Sequence, residues 1–488
     1  MNTYIRQIRL ILLALIQCVL FTGCLKWEAP SSSSDSLPPV FPDYTGVTVP
    51  SNIAPLNFMV EDAEKIQAVF SLEGRELAKE IGKKGILSVD PEDWRSILDQ
   101  AAGRSFDVTV SVWNDRNRDG LEYQPFRINV AADEIDGWIA YRLIEPGYEG
   151  WRQLGLYQRE LSSFAEIAIV TNSKSTTTCV NCHHFPAYSS ESMMFHARGA
   201  NGGTILYHNG SLAKIDFKSI GLKKNTTYPA WHPGGRFIAF SANTTHQIFY
   251  GEGRQQIEVF DTASDLILYD TETGDALTDP RFSTEKELET FPSWSPDGKY
   301  LYFVSHKADS LPVRFTPDMQ YDLLRVPFDH NTRTFGAKID TLYRSSVQGG
   351  SVSYPRVSAD GRYLLYTLSD YGTFPIWHTE ADLRMMNLET MQPVNVSEWN
   401  DAEEADSYHS WSSDGRWVIF GSRRLDGRFT RLYIGYFDEE GRPHKPFLLP
   451  QEDPRYHLWR HKSFNVPEFI DSRVELPDEA EKMFLQED

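Results

Sequence analysis

The residues best suited to chemistry are two cysteines and a histidine that stand close together in the middle of the chain. Cys179, Cys182 and His183 lie in the run Cys-Val-Asn-Cys-His, a C-x-x-C-H motif. At the cysteine and histidine content of this chain, the motif is expected by chance only about once in a thousand such sequences. Two thiols at this spacing add to the vinyl groups of a porphyrin, and the adjacent imidazole reaches its iron. The motif therefore predicts a covalently attached haem c, with His183 as an axial ligand.

The residues that follow the motif supply candidates for the rest of a haem site. A second axial ligand is expected from Met193, Met194 or His196, if this segment folds back over the other face of the haem. The alternative for the two methionines is core packing. Arg198 is a candidate partner for a haem propionate. A haem with both axial positions filled favours one-electron transfer over substrate chemistry.

Three other interpretations of the same cysteines stay open. The first is a structural disulfide between Cys179 and Cys182, which an exported protein permits. The second is a zinc site, although vicinal histidines do not easily reach one tetrahedral ion. Its ligands would be the two thiols and two histidines from His183, His184, His196 and His208. The third is a redox C-x-x-C of the thioredoxin type, which needs a βαβ context that the flanking sequence lacks.

The first 23 residues have the features of a lipoprotein signal peptide. Two arginines precede an apolar stretch, Leu10–Phe21, that is too short to cross a bilayer comfortably. The run Phe21-Thr22-Gly23-Cys24 resembles a bacterial lipobox, which implies that Cys24 becomes the lipidated N-terminus. The alternative is a plain signal peptide or an uncleaved anchor. We therefore expect a lipid-anchored protein of the bacterial cell envelope, facing the periplasm or the cell surface.

Composition limits the classes of partner and fold. The formal net charge of −20 argues against nucleic acid or anionic lipid as a partner, because both need a basic protein face. Aromatic residues make up 13% of the chain and are accompanied by frequent glycine and proline, as is typical of all-β proteins. With 488 residues, the chain is expected to form more than one domain.

Four segments of the chain share one pattern: an aromatic residue, usually a proline, and a turn that ends in glycine. They are residues 228–240, 291–303, 354–366 and 408–420, and their aligned glycines lie 63, 63 and 54 residues apart. Each segment predicts a hairpin in which glycine supplies the positive φ of a tight turn. Two further short strands follow each hairpin, so every unit predicts a four-stranded sheet that cannot bury both of its faces alone.

The repeated pattern Tyr/Phe-Pro-x-Trp-Ser-Pro-Asp-Gly-Arg resembles the TolB-type, WD40-like β-propeller repeat. The resemblance implies a propeller of five or six blades over residues 205–465, with four clear repeats. It also suggests a binding scaffold for an envelope protein, a peptide or a glycan, but propellers host many unrelated functions. The predicted fold class is all-β, a β-propeller preceded by a small β-rich, sandwich-like domain.

The remaining boundaries follow from local composition. We predict a Ser/Pro-rich linker over 24–52, the N-terminal β-rich domain over 53–175, a haem-binding loop over 176–204 and an acidic C-terminal tail over 466–488. A second metal candidate lies in the N-terminal domain. Asp115, Asn117 and Asp119 begin like a calcium-binding loop, but Phe126 stands where that loop needs glutamate. A polar hairpin turn is the alternative.

Three functional hypotheses result from the sequence. The first is an exported electron carrier, or redox support for an envelope partner docked on the propeller. The second is a non-enzymatic scaffold in which the C-x-x-C pair is a disulfide. The third is a hydrolase or lyase with its site in the propeller channel, although the chain has no G-x-S-x-G elbow and no phosphate-binding glycine loop.

Overall fold

The computed structural model of the chain describes residues 26–145, 154–172, 178–199, 202–217, 225–308 and 314–484. Within these ranges the backbone forms one ten-stranded N-terminal sheet and six sheets of four or five strands each. The six sheets are the blades of a β-propeller, so the predicted fold class is confirmed. The predicted signal peptide and Cys24 lie outside the described residues. Among the residues described, no helix combines the length and apolar character needed to cross a membrane.

The N-terminal domain is one curved sheet with a single helix. Its strands are β1 (Ser32–Ser33), β2 (Val40–Phe41), β3 (Thr48–Val49), β4 (Phe58–Val60), β5 (Lys65–Leu72), β6 (Arg75–Lys83), β7 (Ile86–Leu87), β8 (Ser105–Trp113), β9 (Leu121–Glu122) and β10 (Phe126–Val130). The strand order is β1-β9-β8-β5-β6-β7-β4-β2, and β10 pairs with both β8 and β3. Helix α1 (Pro91–Ala101) begins after Asp90, whose carboxylate accepts hydrogen bonds from the backbone N–H groups of Glu92 and Asp93. The helix buries Trp94 among the aromatic side chains of the sheet.

The segment predicted as a linker, 24–52, is part of this domain where the structure describes it. Three of its dipeptides are strands, and Tyr44, Val47 and Val49 are fully buried. The local composition predicted a tether because the segment cannot bury its own apolar residues. Burial comes instead from chain that is distant in sequence, as when the Tyr44 hydroxyl donates to the carbonyl of Leu448, 3.4 Å away. The same hydrophobic core joins the N-terminal sheet to blades 1 and 6.

The first three blades cover the middle of the chain. Blade 1 contains β11 (Trp138–Ile144), β12 (Gly155–Glu160) and β13 (Glu166–Thr171). Blade 2 contains β14 (Thr178–His184), β15 (Met193–Gly199), β16 (Gly203–His208) and β17 (Ser211–Ile215). Blade 3 contains β18 (Asn225–Trp231), β19 (Phe237–Phe249), β20 (Ile257–Asp270) and β21 (Ala276–Leu277).

The other three blades follow in the same order of strands. Blade 4 contains β22 (Glu287–Trp294), β23 (Tyr300–Lys307), β24 (Asp322–Asp329), β25 (Thr334–Phe335) and β26 (Asp340–Tyr343). Blade 5, which helix α2 (Ser345–Gln348) precedes, contains β27 (Ser351–Val357), β28 (Tyr363–Ser369), β29 (Asp382–Asn387) and β30 (Gln392–Val394). Blade 6 contains β31 (Asp406–Trp411), β32 (Trp417–Ser422), β33 (Arg431–Tyr436) and β34 (Phe447–Leu448). Helix α3 (Tyr456–Trp459) follows, and helix α4 (Glu479–Lys482) lies near the C-terminus.

The ring is closed by a strand from the far end of the chain. Strand β35 (Ser463–Ile470) pairs antiparallel with β11 and is the innermost strand of blade 1. The structure therefore differs from two predicted boundaries. Strands β11–β13 belong to the propeller and not to the N-terminal domain, and the chain from residue 466 begins within a strand and not as a tail. The reason is that blade 1 takes its strands from both ends of the propeller, which no local pattern reveals.

Hairpins and tryptophans of the repeat lock neighbouring strands and blades together. In blade 4 the Ser295 hydroxyl donates to the Asp297 carboxylate at 2.6 Å and accepts from the backbone N–H of Tyr300 at 3.0 Å. Gly298 completes this turn with a φ of 70°. The Trp294 indole then donates to the carbonyl of Ala230 in blade 3, 3.0 Å away. The spacing of residues within the repeat thus serves both the turn and the contact between blades.

Candidate functional site

All six innermost strands have a bulge at the same place, and the C-x-x-C-H motif occupies one of these bulges. The first residue of each bulge has a positive φ of 44° to 54°. These residues, which we call the inner ring, are Cys182, Tyr228, Phe291, Tyr354, Tyr408 and Val466. The next residue is proline in four blades and histidine in two, namely His183 and His409. Cys182 and His183 are therefore the blade 2 version of the Tyr/Phe-Pro pair.

The predicted haem-binding loop, 176–204, is consequently built of blade strands where it is described. Strand β14 carries the motif and pairs with β15 along its length. Sequence comparison within the chain missed this repeat because cysteine replaces the aromatic residue and no glycine turn follows. One signal could have revealed it: Phe185 follows Cys182 at the same distance as Trp231 follows Tyr228.

Four members of the inner ring form a packed aromatic arc across blades 3 to 6. The ring centroids of Tyr228 and Phe291 lie 4.1 Å apart, those of Phe291 and Tyr354 5.7 Å, and those of Tyr354 and Tyr408 5.1 Å. The two other members, Cys182 and Val466, are small. The channel is therefore filled on the side of the arc and incompletely filled beside blades 1 and 2.

A cavity of about 210 Å³ lies at the channel mouth, with Cys182 and Val466 in its wall. The whole inner ring contributes to its wall. Blades 1 and 2 supply a polar side of the wall, which consists of Arg142, Asn181, His183, Arg198 and Asn465. Blades 3 and 5 add other polar side chains, among them Thr227 and Arg356. The cavity thus has an aromatic side and a polar, cationic side, as is typical of small-ligand sites.

A long hairpin from blade 3 covers the cavity. Strands β19 and β20 contain 13 and 14 residues, whereas the equivalent strands of blade 5 contain 7 and 6. The extra residues, 244–264, form what we call the mouth hairpin. Four of its side chains line the cavity: Thr245, Gln247, Ile257 and Val259.

A buried ion pair fixes the mouth hairpin of blade 3 to blade 5, two blades further round the ring. Glu258, on the hairpin, lies 2.9 Å from Nε2 of His378 in blade 5, and Glu380 lies 3.2 Å from Nδ1 of the same imidazole. Burial favours the neutral imidazole, but the hydrogen bonds and charges of the two carboxylates outweigh it and raise the pKa of His378 to about 9. Arg254 adds an ion pair to Glu404 at 3.0 Å. The hairpin is therefore held at its far end as well as at its root.

Below the inner ring, one arginine crosses the channel. Arg356 of blade 5 lies 3.1 Å from Nε2 of His184 in blade 2 and donates to Glu468 of blade 1 at 2.9 Å. Burial raises the pKa of Glu468 to about 7, although Arg356 acts in the opposite direction. Burial, together with the charge of Arg356, holds the pKa of His184 well below its usual value. This cluster separates the mouth cavity from a second cavity of about 280 Å³ at the other face, which is lined by Trp231, Trp294 and Trp411.

The motif residues differ in how they face the mouth cavity. Both thiols are free and partly exposed, but only Cys182 belongs to the cavity wall. His183 is only 3% exposed, and its Nε2 has no hydrogen-bond partner among the described residues. Burial lowers the pKa of His183 to about 3, with a contribution from the charges of Arg142 and Arg356. The imidazole is therefore neutral.

The residues predicted as second iron ligands are not brought to His183. Met193 and Met194 are consecutive in β15, so they point to opposite faces of the sheet and pack in two separate cores. Nδ1 of His196 lies 3.1 Å from the Thr204 hydroxyl, and burial lowers the pKa of His196 to about 4. None of the three lines the mouth cavity, whereas Arg198 does. They serve the packing of blade 2 because the segment pairs as a strand and does not fold back as a loop.

As folded, this site does not fit a haem. A cavity of about 210 Å³ is below the roughly 300 Å³ at which sites for drug-sized ligands begin, and a porphyrin is larger than that. Nε2 of His183 is enclosed by protein, and Cys179 lies outside the cavity wall. The haem c therefore stays a prediction of the motif, and we derive no chemistry through it.

The other predicted metal sites have no supporting cluster. In the part of the chain that the structure describes, no three His, Cys, Asp or Glu side chains are grouped to hold a metal ion. Asp115, Asn117 and Asp119 lie in the turn between β8 and β9, where the side chain of Asp115 is 90% exposed. The Asn114 side chain organises this turn by accepting from the backbone N–H groups of Arg116 and Asn117. The polar hairpin turn is the structure observed here.

The described residues that line the mouth do not include a carboxylate beside the histidine. The described wall of the cavity contains His183 but no aspartate or glutamate. General acid–base catalysis needs a titratable group within hydrogen-bond reach of the substrate, with a pKa near the working pH. The buried, neutral imidazole of His183 does not meet that requirement.

Comparison with known proteins bears on the fold alone. No family model and no curated protein matches the chain. Among solved structures, TolB from Acinetobacter baumannii is similar, with 14% identity, a TM-score of 0.42, and coverage of 78% of this chain and 85% of that one. An oligogalacturonate lyase in complex with manganese has 11% identity and a TM-score of 0.36, covering 64% of this chain and 73% of its own. Prolyl oligopeptidase B from Galerina marginata has 8% identity and a TM-score of 0.36, covering 66% and 48%. With every TM-score below 0.5, these similarities carry no functional conclusion.

Proposed function

We propose that the protein is a non-enzymatic binding propeller that takes a small ligand, or the end group of a larger one, into the mouth cavity. The observation that carries this proposal is the gap in the inner ring, where Cys182 and Val466 replace the aromatic residues of the other blades. A partly enclosed cavity with apolar walls and a few polar groups is the usual form of a ligand site.

The parts of the site have separate roles in binding. The aromatic arc offers flat apolar surface to the body of a ligand. Asn181, Asn465 and the arginines supply the polar groups that orient it. The mouth hairpin shields the ligand from water, which strengthens every polar contact inside the cavity. A cavity of about 210 Å³ favours an end group over a whole drug-sized molecule.

The cellular setting of the proposal comes from the sequence. An exported chain, lipidated at Cys24, would present the propeller to envelope proteins, peptides or glycans. Each of these has chain ends or side groups small enough for the mouth cavity. The lipid would contribute membrane attachment only, because the acidic chain offers no net positive charge to anionic lipids.

The thiol in the cavity wall provides a direct test. Cys182 lies in the wall and Cys179 outside it, so iodoacetamide labelling followed by peptide mass spectrometry reads occupancy of the cavity against an internal control. We propose four probes: 3-phenylpropionate, 3-phenylpropionamide, N-acetylphenylalanine and N-acetylphenylalaninamide. At least one probe should slow the labelling of Cys182 several-fold without slowing that of Cys179. If none of the four does so, the mouth cavity is not a ligand site.

A covalent haem is the second candidate, and with it an electron-transfer role beside a redox partner. It is favoured by the C-x-x-C-H motif together with two free thiols and the unpartnered Nε2 of His183. This function would require the bulge at Cys182 to open so that both thiols and the imidazole face one space.

Absorbance of protein made with haem-maturation machinery separates the two candidates. Our proposal expects a colourless protein in which iodoacetamide modifies both thiols. A Soret band that survives acid-acetone extraction and disappears in Cys182→Ser would establish the haem and displace the binding propeller as the main function.

A further inference from the structure

We infer that the ligand of the mouth cavity carries a carboxylate, held by Arg142 and Arg198. This inference rests on the proposed function and adds the chemical class of the ligand. It concerns the polar side of the cavity, which blades 1 and 2 supply, and it draws on the distribution of charge around that side.

The cavity wall reverses the charge of the protein. The chain has 68 acidic residues against 48 lysines and arginines, yet the described wall contains three arginines and no aspartate or glutamate. The charge of these cationic groups is opposite in sign to the net charge of this strongly acidic protein. A local positive potential of this kind attracts anions.

One of the three arginines already has its carboxylate. Arg356 donates to Glu468 at 2.9 Å and to the hydroxyl of Tyr354 at 3.1 Å. Its charge is therefore balanced within the protein. Arg356 thus has the carboxylate partner that Arg142 and Arg198 lack among the described residues.

Arg142 and Arg198 have no such partner among the described residues. Arg142 donates from one terminal nitrogen to the neutral side chain of Asn465 at 2.7 Å, while its buried Nε has no partner in the part of the chain that the structure describes. No ion pair joins Arg198 to any described carboxylate. The charge of Arg198 acts on Asp261, which lies outside the wall, accepts from Asn243 and Thr245, and has its pKa raised to about 6 by burial.

A carboxylate would satisfy both arginines at once. The buried Nε of Arg142 costs free energy while it has no partner among the described residues, and the exposed guanidinium of Arg198 is open to an incoming anion. Hydrogen bonds between charged groups are the strongest that a ligand can add. The planar guanidinium matches the geometry of a carboxylate. Since the aromatic arc forms the other side of the cavity, the ligand that fits combines an apolar body with one carboxylate.

The test compares each acid with its amide, which has nearly the same shape and no charge. Dissociation constants for 3-phenylpropionate and 3-phenylpropionamide are measured on the full chain by calorimetry and by protection of Cys182. We expect the acid to bind at least tenfold more tightly. Arg198→Gln and Arg142→Gln should each remove most of that preference, because each weakens binding of the acid far more than binding of the amide. Arg384→Gln, at an exposed ion pair with Asp382 on blade 5, is the matched control and should change neither constant.

The outcomes separate this inference from the proposal on which it rests. Equal protection by acid and amide would overturn the carboxylate and leave the binding site standing. Tighter binding of phenyl phosphate than of 3-phenylpropionate would also overturn it, since the site would then select phosphate. Absence of protection by any probe would remove the binding site itself. If Arg142→Gln does not fold because Asn465 loses its contact, Arg198→Gln decides alone, because Arg198 is exposed.

Discussion

Blades 3 to 6 and blades 1 and 2 share one backbone at the channel and differ in what they place on it. In blades 3 to 6 the bulge carries Tyr or Phe, and the four rings pack against one another. In blades 1 and 2 the same bulge carries Val466 and Cys182, and arginines stand beside them. The backbone is repeated, so side-chain size alone decides whether the channel is packed or open. The departure from the repeat therefore marks the candidate site.

The strongest test of this comparison removes one ring from the arc. Phe291 is only 2% exposed and lies between two other rings of the arc. We expect Phe291→Ala to lower the free energy of unfolding by about 3–5 kcal/mol, because it leaves a cavity in a packed core. Cys182→Ala, the matched change in the open part of the ring, should cost less than about 1 kcal/mol. Urea denaturation of both variants measures the difference, and equal costs would contradict the division into packed and open regions.

The link between the two regions is the arginine that crosses the channel. Arg356→Met should lower the free energy of unfolding on the order of 3 kcal/mol at pH 8, because it leaves the Glu468 carboxylate buried without a cation. Burial already raises the pKa of Glu468 to about 7, so protonation should make the loss smaller at pH 5. Adding Glu468→Gln to Arg356→Met should recover most of the stability. A loss that does not depend on pH would mean that packing, and not charge, explains the effect.

The mouth hairpin over the open region should respond to alkaline pH. The pKa of His378 is about 9 in the folded protein against about 6.5 in an unfolded chain. A raised folded-state pKa contributes stability that is complete below about pH 6.5 and is lost as the pH rises through 9. Between pH 7 and pH 10 the wild type should lose on the order of 3 kcal/mol more than His378→Gln.

Trypsin provides a local measurement for the same prediction. Arg254 lies near the tip of the hairpin, so its cleavage reports release of that end. Cleavage after Arg254 should accelerate above pH 9 in the wild type and be fast at every pH in His378→Gln. Equal rates in the two proteins at pH 7 would show that the ion pair does not hold the hairpin.

The substitution with the smallest expected effect on stability should have a clear effect on ligand binding. Cys182→Tyr restores an aromatic residue to the open part of the inner ring and places it in the mouth cavity. We expect 3-phenylpropionate to bind at least tenfold more weakly, while the cost of a side chain added to existing space stays within about 1–3 kcal/mol. Calorimetry measures the affinity, and circular dichroism confirms the fold. Unchanged affinity would place the ligand elsewhere on the molecule.

Local patterns predicted the parts of the fold whose causes are local. The Asp-Gly turn at Gly298 was predictable because it depends on a few neighbouring residues. The inner hairpin of blade 2, which carries Cys182, was missed because its ring residue and its turn both depart from the repeat, whereas the outer strands of that blade fall within the predicted propeller. The strands on either side of Tyr44 were missed because they pair outside their own segment, with β4 and β10. The burial of Tyr44 was missed because its hydroxyl contacts Leu448, 404 residues away.

The candidate site was predictable only in part. Cys182, His183 and Arg198 do line one cavity, as a motif-centred site requires. Met193 and Met194 do not, because the alternation of side chains along a strand sends them into the two cores of blade 2. Arg142 could not be found from the sequence, since nothing in its surroundings distinguishes it before β11 pairs with β35.

The sequence by itself determined that this chain builds repeated four-stranded units with glycine turns, and hence a propeller. Those features depend on residues within one hairpin, because the interactions that stabilise a tight turn and a strand pair join residues that are close in sequence. Only the tertiary structure decided that β35 closes the ring, that six bulges meet around one channel, and that the mouth hairpin reaches His378. These features depend on which distant surfaces come together. The volume of the ring side chains and the charge of the arginines can shape a cavity only after the closed ring has brought the blades around one channel.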